Sequence, residues 1–259
     1  MRRRDALTGV LGLIALLAAW QISVPLVGLE PYYYPSPHDV ALAFWDLLRK
    51  GILPVDIADS LGRYGLGVAT GTVLGVAMGL LIGLNRAVDR MLGPLINFLF
   101  AIVEVAWIPI FVIWWGYGLK TILVALSYVV FFPVLYNTIL GVRMVPQVLV
   151  HAVRSLGAGP RQVITEVVLP AALPNIITGF RVGAGFAFRG LVFAEVIAAK
   201  TGVGYLIFAG ASDHQTDRTI VGMVVMGAMW LLIDTMYLKP FERATVERWG
   251  QVTAAEMRE

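Results

Sequence analysis

Few side chains in this sequence are able to do chemistry, and their placement is informative. The histidines, His38, His151 and His214, are scattered and form no ligand cluster, and the 259-residue chain has no cysteine. Thiol nucleophiles, disulfides and cysteine metal sites are excluded. No nucleophile with a base, and no His/Asp/Glu metal set, converges at one depth, so the sequence assigns no catalytic residue, no metal and no cofactor. No G-x-x-x-x-G-K-[ST] phosphate loop occurs; Lys200-Thr201 lacks the glycines that must precede it. What remains is a small set of charges inside long apolar runs: Glu104, Arg181, Arg189, Glu195 and Asp234. Each costs ~2.5–3.5 kcal/mol in lipid, so each must face protein or water. Glu104 lies ~15 Å and Arg189 ~21 Å from the inner ends of their runs at 1.5 Å per residue. Those depths predict a Glu104–Arg189 pair across a helix bundle. Glu195, near the outer end of its run, reaches interfacial water or an outer partner. Asp234 snorkels inward or pairs with a tail arginine.

The elements that position these charges follow from composition. The chain is 58% hydrophobic and only 14% charged, with mean hydropathy +0.78. A soluble domain carries nearer a quarter charged residues. The fold class is therefore an all-α polytopic membrane protein. Six transmembrane helices are expected, near 6–27, 64–85, 94–115, 121–142, 175–197 and 219–238. The basic start before residue 6 resembles a signal peptide, but the run is long enough to span and no clean cleavage site follows it. Gly67, Gly71, Gly75, Gly79 and Gly83 recur every four residues, a close-packing stripe that drifts around the helix and passes from one neighbour to another. Trp107, Trp114 and Trp115 form an interface belt. Pro133 marks a kink. Ser36-Pro-His-Asp39 caps a short surface helix to about Arg49. Six spans put both termini and the loop at 143–174 on one side, and basic residues favour that side two to one, so it is cytoplasmic. The tail KPFERATVERWGQ is an amphipathic cytoplasmic or interfacial helix. No repeat or linker divides residues 1–259, which form a single domain. A net charge of +3 is too modest to suggest nucleic acid as a partner.

The most structured polar stretch is HAVRSLGAGPRQVITEVVLPAALP, His151–Pro174. It reads as two short helices around a Gly157-Ala-Gly-Pro160 break, the second ending at Leu169-Pro170. Gly157 permits backbone angles other residues resist, and Pro160 suits a first helical turn. Leu156, Val163, Val167 and Val168 are expected to bury against the spans while Arg154 and Arg161 face outward. The result is a rigid knuckle fit to dock a partner, or an ordinary loop on the membrane surface.

This stretch resembles the cytoplasmic loop of ABC-importer permeases: Glu-Ala-Ala, three residues, Gly, nine residues, Ile, one residue, Leu-Pro. Ala152, Gly157, Leu169 and Pro170 match at that spacing, Val167 replaces Ile, and His151 and Val153 replace the Glu and second Ala. Pro35-Ser-Pro37, Ser60-Leu-Gly-Arg63, Trp107-Ile-Pro109, Trp114–Gly118 and Gly202-Val-Gly-Tyr-Leu206 are similar to the nitrate, sulfonate and taurine group of these permeases. The resemblance implies a type I ABC-importer permease fold in the bacterial inner membrane. It also implies a homodimer with a second permease copy, two cytoplasmic ATPase subunits and an extracytoplasmic solute-binding protein. His151, Ala152, Arg154, Ser155, Leu156, Gly157, Ala158, Gly159, Leu169 and Pro170 then form the ATPase-docking loop. Glu104, Arg189 and Glu195 are the candidate pathway residues for a small anion. A self-contained channel or secondary transporter is the alternative; it calls for a dense set of buried polar residues, and the spans hold few.

Overall fold

The computed structural model describes residues 2–30 and 32–242, and among these every regular element is helical. The expected tail helix beyond residue 242 lies outside the described residues. The elements are α1 (Arg2–Val27), α2 (Pro37–Arg49), α3 (Ile52–Leu84), α4 (Arg86–Phe100), a 3₁₀ turn (Glu104–Trp107), α5 (Ile108–Trp115) and α6 (Leu119–Met144). Then follow α7 (Gln147–Ser155), α8 (Pro160–Val163), a π turn (Ile164–Val168), α9 (Leu169–Ala198), α10 (Val203–Ser212), α11 (Thr216–Ile233), a second π turn (Asp234–Leu238) and α12 (Lys239–Glu242). Four stretches are long and apolar enough to cross a membrane: Ile52–Leu84, Leu119–Met144, Pro160–Ala198 and Thr216–Leu238. The pair Arg86–Phe100 and Glu104–Trp115 is bent by 91°, as a broken span or re-entrant loop. The continuous span expected at 94–115 is thus interrupted. Pro109 explains the restart, because it lacks the N–H a helix interior needs but is tolerated in the first turn, where it sits in α5.

The chain packs as two units, residues 1–60 with 201–228, and 61–200 with 229–259. In the first, Ser36 caps α2. Its hydroxyl accepts from the Asp39 N–H at 3.2 Å while the Asp39 carboxylate accepts from the Ser36 N–H at 2.9 Å. This reciprocal box satisfies two donors that the helix leaves unpaired. The same unit ties down the start of α10. Asp56 accepts from the Gly202 N–H at 2.7 Å, Ser60 from the Val203 N–H at 2.9 Å, and Asp59 from the Thr201 hydroxyl at 2.6 Å. Two short motifs that are separate in the sequence, at 60–63 and 202–206, meet here through Ser60 and Val203.

The second unit is organised around α6, which is buried along most of its length. The glycine stripe of α3 lies on it: Gly67 faces Leu126, Gly71 faces Val130 and the Ser127 carbonyl, Gly75 faces Val134, Gly79 faces Thr138 and Gly83 faces Val142. The numbers rise together, so α3 and α6 run parallel. The stripe was expected to move between neighbours. It keeps one neighbour because α6 answers with its own four-residue row, and two such rows wind around each other together. On α9, Gly179 meets Pro133 and Asn137, while Gly183 meets Val130; Gly141 of α6 meets Ala172 and Asn175. The order is reversed, so α6 and α9 are antiparallel. Small residues here bring backbones close where lipid supplies no hydrophobic drive.

Candidate functional site

The loop after α6 is built from local chain chemistry. α7 ends in a left-handed cap: Gly157 has φ +88°, its N–H donates to the Arg154 carbonyl at 2.9 Å, and the Ala158 N–H donates to the Val153 carbonyl at 3.2 Å. This pair of bonds closes a helix end and favours glycine at the turning position. Gly159 then precedes Pro160 in the first turn of α8. Val145, Val150, Val163 and Val168 bury into one cluster with Val142, Ala172 and Ile176. The knuckle is therefore anchored at both ends by valines. His151, Ala152, Arg154, Ser155, Leu156, Gly157, Gly159 and Arg161 are exposed, and Ala158 packs partly buried against the valine cluster.

Two expectations for this loop are corrected. Leu156 does not bury against the spans but is 87% exposed. It occupies the cap position of α7, where the reversal of the chain sends Ala158 inward and leaves the leucine outside. The second short helix also does not stop at Leu169-Pro170. A π turn, with the Leu169 N–H bonded to the Ile164 carbonyl, carries the chain straight into α9. A proline ring clashes with the carbonyl four residues back in a regular helix, and the wider turn relieves that clash. Leu169 and Pro170 are consequently half-buried helix residues, apart from the exposed knuckle. The second π turn, before Lys239-Pro240, repeats the device. Behind the knuckle lies a cavity of about 1010 Å³ whose lining includes Arg86, Asp89, Arg90, Arg143 and Arg154; Asp89 and Arg143 bridge at 2.7 Å.

The intramembrane charges fall differently from expectation. Glu195 does not reach interfacial water. It is fully buried on α9 and accepts from the Arg63 guanidinium of α3 at 2.8 Å. Burial of one carboxylate demands a partner, and Arg63, expected outside the spans, supplies it. Glu104 and Arg189 are both exposed and form no ion pair with each other among the described residues. Glu104 opens the 3₁₀ turn at the break, where a depth counted along an unbroken helix no longer holds. It lines a cavity of about 270 Å³ with Tyr128, Phe132, Pro133 and Phe186. Arg189 lines a second, of about 420 Å³, with Arg181, Phe186, Trp230 and Asp234. Phe186 faces both. Asp234 accepts from Lys239 at 2.7 Å and lies 3.9 Å from Arg181. Its anchor is thus Lys239, the residue that follows its own π turn, and the tail arginines lie outside the described residues.

Comparison with known proteins places these features in context. Residues 71–238 match the family described as binding-protein-dependent transport system inner membrane component. The chain is 31% identical over 245 residues to the taurine transport system permease protein TauC of Escherichia coli (strain K12), covering 93% of this chain and 89% of that protein. It is 32% identical over 203 residues to the bicarbonate transport system permease protein CmpB of Synechococcus elongatus (strain ATCC 33912 / PCC 7942 / FACHB-805), covering 78% and 70%. Its fold is similar to that of a chain in the inward-facing MetNI methionine ABC transporter, with TM-score 0.64 and 20% identity over 78% of this chain and 96% of that one.

Proposed function

This chain belongs to the family of inner-membrane components of binding-protein-dependent transport systems, the permease subunits of ATP-binding-cassette importers, and we propose that its own solute is a small anion. Relatives named for taurine and bicarbonate transport support that class, as do the two arginines of α9 that line one cavity. In this reading residues 1–259 are one permease domain of six transmembrane helices, with α1 and the bent 86–115 pair completing the four longer spans. Both termini and the loop at 143–174 are cytoplasmic. The parallel course of α3 and α6 and the antiparallel course of α6 and α9 agree with such a threading.

The complex contains a second permease copy, two cytoplasmic ATPase subunits and an extracytoplasmic binding protein. ATP is hydrolysed on the separate subunits and not by this chain. The exposed face of His151, Ala152, Arg154, Ser155, Leu156, Gly157 and Gly159 is the docking surface, with Ala158, Leu169 and Pro170 holding it on its base. The observation that carries this reading is the combination of an exposed, glycine-capped knuckle with a valine cluster rooted in α6 and α9. A floppy loop transmits no force; this one moves only with the helices beneath it. ATP draws the docked subunits together, the knuckles follow, and the helices rock between outward- and inward-open states. Glu104 and Arg189 line the path, and Glu195 holds α9 to α3 beside it.

Reconstitution tests the reading. The permease with its ATPase and binding protein accumulates the anion in proteoliposomes on ATP, and the permease alone does not. ATP-driven accumulation by the isolated chain contradicts it.

A further inference from the structure

The 420 Å³ cavity on α9 combines two arginines and a carboxylate with apolar side chains. Its lining includes Arg181, Arg189, Trp230 and Asp234. We infer that it is an anion subsite on the transport path, in which Arg181 and Arg189 bind the anionic head of the solute and Asp234 is a tethered competitor that occupies Arg181 between transport events. This inference rests on the proposed import of a small anion and adds the residues that hold it.

Three observations lead there. First, Arg181 and Arg189 are two turns apart on one helix, ~12 Å along the axis, and both border the same space. A guanidinium presents a planar fork of donors that matches an oxyanion. Two of them, with one carboxylate, leave the cavity net positive. Second, the rest of the lining is mainly apolar. Trp230 packs on Phe188 with ring centroids 5.2 Å apart and lies against Gly185, and Phe186, Val182 and Leu238 complete the surface. A pocket of a few hundred cubic ångströms with apolar walls and a few convergent polar groups is the usual form of a small-molecule site. Its chemistry suits a short organic anion, a charged head on a small carbon body.

Third, the carboxylate is arranged for exchange. Asp234 is held at 2.7 Å by Lys239 and stands 3.9 Å from Arg181. The lysine holds it in place, while the contact to Arg181 is longer than a hydrogen bond. An incoming anion takes over Arg181 and leaves Asp234 with Lys239, so neither charge is stranded in the membrane. When the solute departs, the carboxylate is already beside the arginine. Asp234 opens a π turn, a distortion that recurs at functional positions.

The test has two arms. Trifluoromethanesulfonate serves as a fluorine NMR probe of the detergent-solubilised permease–ATPase complex, and ethanesulfonate uptake is measured in proteoliposomes with the binding protein present. Arg181→Gln and Arg189→Gln are each expected to weaken probe binding at least tenfold and to lower uptake. Asp234→Asn is expected to tighten probe binding several-fold by removing the competitor. Arg181→Lys, which keeps the charge, stays within about threefold of the wild type. Probe binding within twofold of the wild type in both glutamine variants overturns the subsite. So does an Asp234→Asn variant that weakens binding as much as Arg181→Gln, since equal losses mark a structural ion pair. A wild-type complex that accumulates neither ethanesulfonate nor bicarbonate contradicts the small-anion reading itself, and the subsite falls with it.

Discussion

Glu195, wholly buried on α9, accepts a hydrogen bond from Arg63 of α3 at 2.8 Å. Removing one member of a buried pair takes from the other its hydrogen-bonded counter-charge, which costs about 3–5 kcal/mol. Glu195→Gln and Arg63→Met are each expected to lower the thermal stability of the detergent-solubilised complex by that order. The double variant Arg63→Met with Glu195→Gln recovers part of the loss, because the contact between the two sites is then removed from both sides at once. Thermal unfolding of the four proteins checks this; a double variant as unstable as the sum of the singles contradicts it.

The α3–α6 contact gives a second prediction. A β-carbon at Gly71 stands 2.6 Å from the Ser127 carbonyl oxygen, a backbone atom that cannot swing aside. Gly71→Ala is expected to force the two helices apart and destabilise the protein by about 1–3 kcal/mol, the usual cost of overpacking. Gly227→Ala, where nothing lies within 4 Å, is the control, and gains slightly from its better helix propensity. Melting temperatures of the two variants in one detergent decide the point.

The capping box of α2 carries a pH dependence whose sign is fixed. Hydrogen bonds from the Ser36 hydroxyl and N–H hold the Asp39 carboxyl below its ordinary value of 3.8. A group with a lowered native pKa stabilises the fold above its unfolded value, and that contribution is lost as pH falls through the native one. The stability difference between wild type and Asp39→Asn is therefore constant from about pH 7 to 5 and narrows below about pH 4. Ser36→Ala is expected to cost about 1 kcal/mol at neutral pH. Unfolding curves across that range test both.

At Gly157 the backbone has φ +88°. An L-residue pays about 1–2 kcal/mol to enter that region. Gly157→Ala is expected to leave the helices folded but to loosen the knuckle. ATPase stimulation by the binding protein falls several-fold while the permease still co-purifies with its partners. Stimulation equal to the wild type contradicts the role of the cap.

What the sequence made legible depended on whether the cause was local. The knuckle was readable because Gly157, Gly159 and Pro160 fix backbone angles by residue type. The α2 cap was readable because Ser36 and Asp39 sit three residues apart. The glycine stripe announced a contact but not its partner, since the facing row of Leu126, Val130, Val134, Thr138 and Val142 looks like any apolar helix face. Leu169-Pro170 read as a stop, yet a π turn absorbs the proline, and nothing in the apolar spacing of 164–168 signals it. The break before Glu104 hid within an apolar run, with Pro109 as its only local mark. Arg63 and Glu195 are far apart in sequence, so only the packed fold reveals their pairing, and the same holds for Asp56, Asp59 and Ser60 at the start of α10.

The most direct measurement uses the absence of native cysteine. Leu156→Cys places a unique thiol at the exposed tip of the knuckle. In membranes holding the whole transporter, a short bifunctional thiol reagent is expected to link it to an ATPase subunit carrying a cysteine at its membrane-facing surface, with a yield that changes when ATP is added. A membrane-impermeant thiol reagent added to intact cells is expected to leave it unlabelled. Labelling from outside the cell, or no ATPase adduct in a complex that still transports, contradicts the claim that this loop receives the force for transport.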